Sequence, residues 1–157
     1  MAQKLLDLYP KLSYLPEDEL EFTRFTAVAL PVLSGEKIQI NQSRFLTALT
    51  NYTKLDLNIE LSNWPDFTAK SGEIIEVPLS AGSLTRIYLV GVGEQNLNDL
   101  RKAAAALGRR VKSSNSVLLS ALVSDKKLAT TAAVAFVLSN YQYSLKTDLK
   151  DKKPEFV

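Results

Sequence analysis

Residues 85–112, TRIYLVGVGEQNLNDLRKAAAALGRRVK, read as one strand, one glycine turn and one helix. Residues 86–90 form a β-branched and aromatic run, too short for a helix and bounded by glycine, which is the pattern of a buried strand. Gly91 and Gly93 then allow a sharp turn, because glycine has no Cβ to oppose positive φ. Asn96 is a candidate N-cap, with Asp99 three residues later as a weak capping box. Beyond it Leu97, Leu100, Ala103, Ala104, Leu107 and Val111 fall on one helical face. Arg109, Arg110 and Lys112 crowd the last turn, where the helix dipole favours positive charge. A strand running straight into an amphipathic helix is the unit of an α/β sheet.

Working outward, residues 73–79 (EIIEVPL) form a short strand, and residues 80–83 turn it into the next one, so the two make a hairpin. Residues 116–123 (SVLLSALV) are the strand after the central helix. Parallel pairing with residues 86–90 is expected there through a right-handed crossover. Ser124 or Asp125 then caps a helix over about residues 127–140. Its apolar residues, Ala129 and the run from Ala132 to Leu138, leave almost no polar face, so burial between the sheet and a further layer is expected. Upstream, residues 25–33 (FTAVALPVL) are a strand buried on both faces, with Pro31 confining the later part to an edge or a bulge. Residues 34–37 turn. Ser43 or Asn41 caps a helix over about residues 44–54, with Phe45, Leu46 and Leu49 inward. Residues 55–62 alternate loosely, and residues 64–67 close the stretch as a loop with two aromatic anchors, Trp64 and Phe67.

Both ends look different from this body. Residues 1–24 read as an N-terminal arm interrupted by Pro10 and Pro16. Its Leu5, Leu8, Tyr9, Leu12, Tyr14 and Leu15 are too apolar for a free tail, and packing is expected on their own domain in preference to a neighbouring subunit. Residues 25–157 form the domain itself. Residues 141–153 are lysine-rich, and the final PEFV reads as the opening of another strand, so a further element is expected beyond residue 157.

The totals narrow the chemistry. A chain of 157 residues fits one domain and needs no staples to hold a core. Cysteine is absent, which excludes disulfides, thiolate catalysis and cysteine-ligated zinc. Histidine is absent as well, removing the commonest general base and the commonest metal ligand. Any metal site would need carboxylates, and any acid–base chemistry would need Asp, Glu, Lys or Tyr. The net charge of +2 does not by itself imply a nucleic-acid or membrane partner. No apolar run approaches the roughly 20 residues of a membrane span. The N-terminus lacks the apolar core of a signal peptide, so the cytoplasm is the expected compartment.

Three motifs could carry function, and each has a plainer reading. Gly91-Val92-Gly93 stands where a dinucleotide fingerprint begins, but Asn96 replaces the third glycine and no acidic residue follows at the required spacing. Glu94 would also place a carboxylate beside the amides meant for phosphate, so a tight turn outweighs nucleotide binding. Glu17, Asp18, Glu19 and Glu21 point in diverging directions and read as a solvated face. Glu73 and Glu76 flank a strand with no partner visible in the sequence. Arg101, Lys102, Arg109, Arg110, Lys112, Lys126 and Lys127 could share one rim, and Lys146, Lys150, Lys152 and Lys153 add a basic tail. No aromatics interleave with them to stack bases, so helix solvation outweighs nucleic-acid binding. No catalytic, cofactor-binding or metal-binding residue is assigned.

Four short stretches, in order, resemble the N-terminal domain of the leucyl aminopeptidase (cytosol aminopeptidase) family: DFTAKSGE from Asp66, RIYLVGVG from Arg86, LRKAAAALGR from Leu100 and AFVLSNYQYSLK from Ala135. In the last of these Leu138, Tyr141, Tyr143 and Lys146 occupy the family's places, while Leu145 replaces the usual aromatic. The resemblance covers about residues 25–157. It implies an α/β, macro-domain-like fold, a mixed sheet between helices in three α/β/α layers. It also implies a cytoplasmic homohexameric enzyme that removes N-terminal residues from peptides with two divalent metal ions, zinc or manganese. The family's ligands for those ions belong to a separate C-terminal domain whose signature, NTDAEGRL, is not in this sequence. The expected partners are therefore that catalytic domain, sister subunits and, through the catalytic domain, peptide substrates. The expected role of these residues is assembly and shaping access to the active site. An alternative expectation is a free-standing macro-like module that binds ADP-ribose or another nucleotide at the 91–93 turn.

Overall fold

The protein was analysed as a computed structural model that describes Leu12, Leu15 and residues 19–111, 117–123 and 125–140. In chain order a 3-10 turn, Phe22–Arg24, leads into β1 (Ala27–Val32), α1 (Arg44–Thr53) and α2 (Leu57–Ser62). There follow β2 (Ile74–Ala81), β3 (Leu84–Gly91), α3 (Leu97–Val111), β4 (Leu118–Ser120) and α4 (Lys126–Ser139).

The sheet is mixed and runs β2-β3-β1-β4. β2 and β3 form the expected antiparallel hairpin, with Glu76 opposite Tyr88, Val77 opposite Ile87 and a register shift between Pro78 and Ala81. The turn itself is only Gly82 and Ser83, because Ala81 already pairs with Leu84. β1 takes the other edge of β3 in parallel, from Ala27 opposite Arg86 to Val32 opposite Gly91. Both edges of β3 are then filled. The strand after α3 consequently does not pair with residues 86–90 as expected. The crossover carries it past β1 to that strand's outer edge, where Ala27–Ala29 meet Leu118–Ser120 in parallel.

This arrangement explains how Pro31 sits in an interior strand. The Ala29 carbonyl accepts from the Ala121 N–H on the β4 side. Two residues on, Pro31 faces the same side, where β4 has ended and no ladder hydrogen bond is required of it.

Alternation sends the strand residues to two cores. Val28, Leu30, Val32, Ile75, Val77, Ile87 and Leu89 face α1 and α2 with Leu46, Leu49, Leu57 and Leu61. Ala27, Ala29, Tyr88 and Val90 face α3 with Leu100, Ala103 and Leu107. Small side chains on both surfaces, Ala27 and Ala29 against Ala103, let α3 lie close to the strands. The result is the expected three-layer α/β/α body around a mixed sheet.

Local chemistry sets the helix ends. The Ser43 hydroxyl accepts from the Leu46 N–H at 3.0 Å, and α1 stops at Lys54, whose φ is 59°. The loose alternation over residues 55–62 proves to be helical. Asp56 accepts from the N–H groups of Asn58 and Ile59, and Leu57 and Leu61 stack one turn apart on the inner face. Leu97 departs from the inward stripe of α3: it opens the helix and is 43% exposed.

Of the described upstream residues, Leu20 and Phe22 pack against the domain. The Phe22 ring lies 5.8 Å from Phe45 and 5.3 Å from Tyr52, joining the α1 side of the core. Leu12 is exposed and Leu15 half-buried. Leu5, Leu8, Tyr9 and Tyr14 of the arm, Ser124 and residues 141–157 fall outside the described part.

α4 departs most from expectation. Asp125 caps it, accepting from the N–H groups of Lys127 and Leu128. It packs on α3, with Leu128 and Phe136 against the core that α3 shares with the strands, yet only Ala132 of its residues is buried. Val134 and Leu138 are 53% and 67% exposed. Gly108 makes the α3–α4 contact possible: a Cβ there would run into the Phe136 carbonyl and the Ser139 and Asn140 side chains. Among the described residues no helix is long and apolar enough to cross a membrane.

Candidate functional site

The 91–93 turn is held by its own backbone. Gly91 N–H donates to the Glu73 carbonyl at 2.8 Å, Val92 N–H to Val32 at 3.0 Å, Gly93 N–H to Ala69 at 3.1 Å and Gln95 N–H to Val92 at 2.9 Å. Glu94 N–H donates to Asp99 Oδ2 at 3.2 Å. Each amide from Gly91 to Gln95 has an acceptor, so the turn presents no donor for a phosphate. The two glycines serve different ends. Gly93 has a φ of 56°, whereas Gly91 is extended and needed because a Cβ would strike the backbone of Ala69 and Lys70. Asn96 caps α3 as expected. Its Oδ1 accepts from Asp99 N–H at 2.9 Å, and its Nδ2 donates to Asp99 Oδ2 at 2.8 Å.

The carboxylates the fold holds in place are occupied. Glu73 accepts from the N–H groups of Thr68 and Lys70 and from the Thr68 hydroxyl, tying the 68–73 loop to the start of β2. Glu76, without a visible partner in the sequence, lies between two guanidiniums, 3.1 Å from Arg86 on β3 and 3.1 Å from Arg110 on α3. A hydrogen bond to the Tyr88 oxygen, and then the Tyr88 and Glu76 charges, raise the Arg86 guanidinium further above its ordinary value. Asp56 and Asp125 cap helices. Of the acidic N-terminal cluster, Glu19 and Glu21 are exposed, while Glu17 and Asp18 lie outside the described residues.

Among the described residues no group of three or more acidic, histidine or cysteine side chains is placed to hold a metal ion. The basic rim is only partly assembled: Arg101, Lys102, Arg109, Lys126 and Lys127 are exposed, and Arg110 is drawn to Glu76. Lys112 and the four tail lysines lie outside the described residues.

One concavity had no counterpart in the sequence reading. A groove of about 770 Å³ runs between residues 37–42 and a wall of Asn58, Leu61, Ser62, Trp64, Pro65 and Phe67. Phe67 anchors its floor at 8% exposure, but Trp64 is 48% exposed, so only one of the two expected aromatic anchors is buried. Lys37 is the one charged residue among the described residues that line the groove. A lining of amides, hydroxyl and aromatic rings suits binding and offers no acid, base or nucleophile pair.

Comparison with known proteins follows the same lines. The cytosol aminopeptidase family, N-terminal domain, matches residues 41–150. A probable cytosol aminopeptidase of Prochlorococcus marinus is 34% identical over 85 residues, which make up 52% of this chain and 16% of that protein. Among solved structures, the bottromycin maturation enzyme BotP shares the fold with a TM-score of 0.51 at 22% identity, over 78% of this chain and 24% of that one. The same enzyme in complex with Mn matches equally. The chain thus spans a minor part of the length of the relatives it matches.

Proposed function

This chain belongs to the cytosol aminopeptidase family, as its N-terminal domain, and from that premise we propose that it is the non-catalytic part of a leucyl aminopeptidase. The whole enzyme would remove N-terminal residues from peptides in the cytoplasm, as a homohexamer, using two divalent ions (zinc or manganese). Those ions and the peptide would be held by a C-terminal catalytic domain. The part played by the residues described here is assembly and the shaping of access to that domain. A matched structure in complex with Mn supports metal use in the whole protein. The described carboxylates support a scaffold role, since the positioned ones bind backbone amides or arginines.

The observation that carries the assembly role is α4. A helix apolar on nearly every side is stable in water when another surface covers it. Here α3 covers one side, and Val134 and Leu138 remain exposed. Burying the part of each still exposed would contribute roughly 1–2 kcal/mol. The test replaces both, Val134→Asp with Leu138→Asp, in the enzyme joined to its catalytic domain, and measures mass by light scattering. A smaller assembly with unchanged circular dichroism is expected; an unchanged mass would contradict the role.

A further inference from the structure

We propose that the groove beside residues 37–42 binds an extended peptide supplied by another molecule, added as a strand to the free edge of that segment. Beyond the bend at residues 35–37, residues 38–41 alternate as a strand does: Gln39 and Asn41 are exposed, while Ile38 turns inward and Ile40 is buried. Gln39 alone of these pairs with the body of the domain, its carbonyl accepting from Leu33 N–H at 3.1 Å. Backbone groups alternate in direction along a strand, so those of Ile38 and Ile40 face away from Leu33. They have no hydrogen-bond partner among the described residues.

Six consecutive residues, 37–42, line the groove. Side chains that alternate between two faces cannot all do so, whereas the backbone edge can. The groove is therefore bounded by unpaired ladder groups on one side and by Trp64 and Pro65 on the other. An open edge of this kind invites another strand. The exposed tryptophan offers a flat apolar wall to its side chains. Lys37 adds charge complementarity, favouring a peptide with a carboxylate at that end. The match is to main chain, alternate small apolar side chains and one terminal acidic group.

Trp64 is the only tryptophan of the sequence and reports on its own site. The probe is a blocked heptapeptide, acetyl-Glu-Thr-Val-Thr-Val-Thr-Glu-amide, titrated against the protein while tryptophan emission is followed. Saturable change is expected. N-methylation of alternate peptide amides should weaken binding more than tenfold, because the strand hydrogen bonds are lost. Exchanging both glutamates for lysine should weaken it roughly two- to fivefold. Calorimetry on Trp64→Ala, a change at an exposed position, should show weaker binding with an intact fold. No response to the peptide, or equal binding of the N-methylated form, would overturn the proposal. So would emission that changes on dilution without peptide, which would give the groove to a second copy of this chain.

Discussion

Asp99 shows how one side chain can fix a junction. Its carboxylate takes the Glu94 N–H and the Asn96 amide, and its carbonyl accepts from the Ser71 hydroxyl at 2.6 Å. Asn96→Ala should lower stability by about 1 kcal/mol, read from chemical denaturation, because α3 loses its cap. Gly91→Ala should cost about 1–3 kcal/mol or more, since the obstacle is the Ala69 and Lys70 backbone, which cannot swing aside. Asn96 and its partner were legible from three-residue spacing. Glu76 was not: its partners lie 10 and 34 positions away in the sequence. Only the hairpin register, which sets Glu76 opposite Tyr88 and Pro78 opposite Arg86, brings the first within reach. Replacing Glu76 with Gln should lower the melting temperature at low ionic strength, and the difference should shrink in molar salt.

Elements were easiest to read where the hydrophobic period and the cap agreed. β3 had a β-branched and aromatic run bounded by glycine, and α1 and α3 had both signals. α2 did not, because six residues hold too few turns to show a helical period, and the loose alternation concealed the Leu57–Leu61 pair. The pairing of β4 was misjudged because no local pattern reveals that β1 already fills the second edge of β3. α4 was read as fully buried from composition, yet composition cannot say which layer covers a helix. Its contact with α3 gives a sharp test at Gly108. Gly108→Ala gains about 1 kcal/mol of helix propensity, but a Cβ would meet the Phe136 carbonyl and the Ser139 and Asn140 side chains. Overpacking of that kind typically costs about 1–3 kcal/mol. A net loss of stability is expected by calorimetry, with α3 and α4 pushed apart.

For the whole molecule, the α/β/α architecture and the family were legible because strand, turn and helix recur in a fixed order, with Gly91, Gly93 and Gly108 at points of tight approach. The groove was not, because it arises between a strand edge and a loop that are neighbours only after folding. In the described part the positioned acidic groups hold turns, helix ends and the α3–β2 contact. The central claim is that these residues are a scaffold for chemistry performed elsewhere in the enzyme. Its most direct test is hydrolysis of leucyl-p-nitroanilide by the purified chain with added manganese or zinc. The account predicts release of nitroaniline at the rate of buffer and metal alone; metal-dependent turnover that scales with the amount of chain would contradict it.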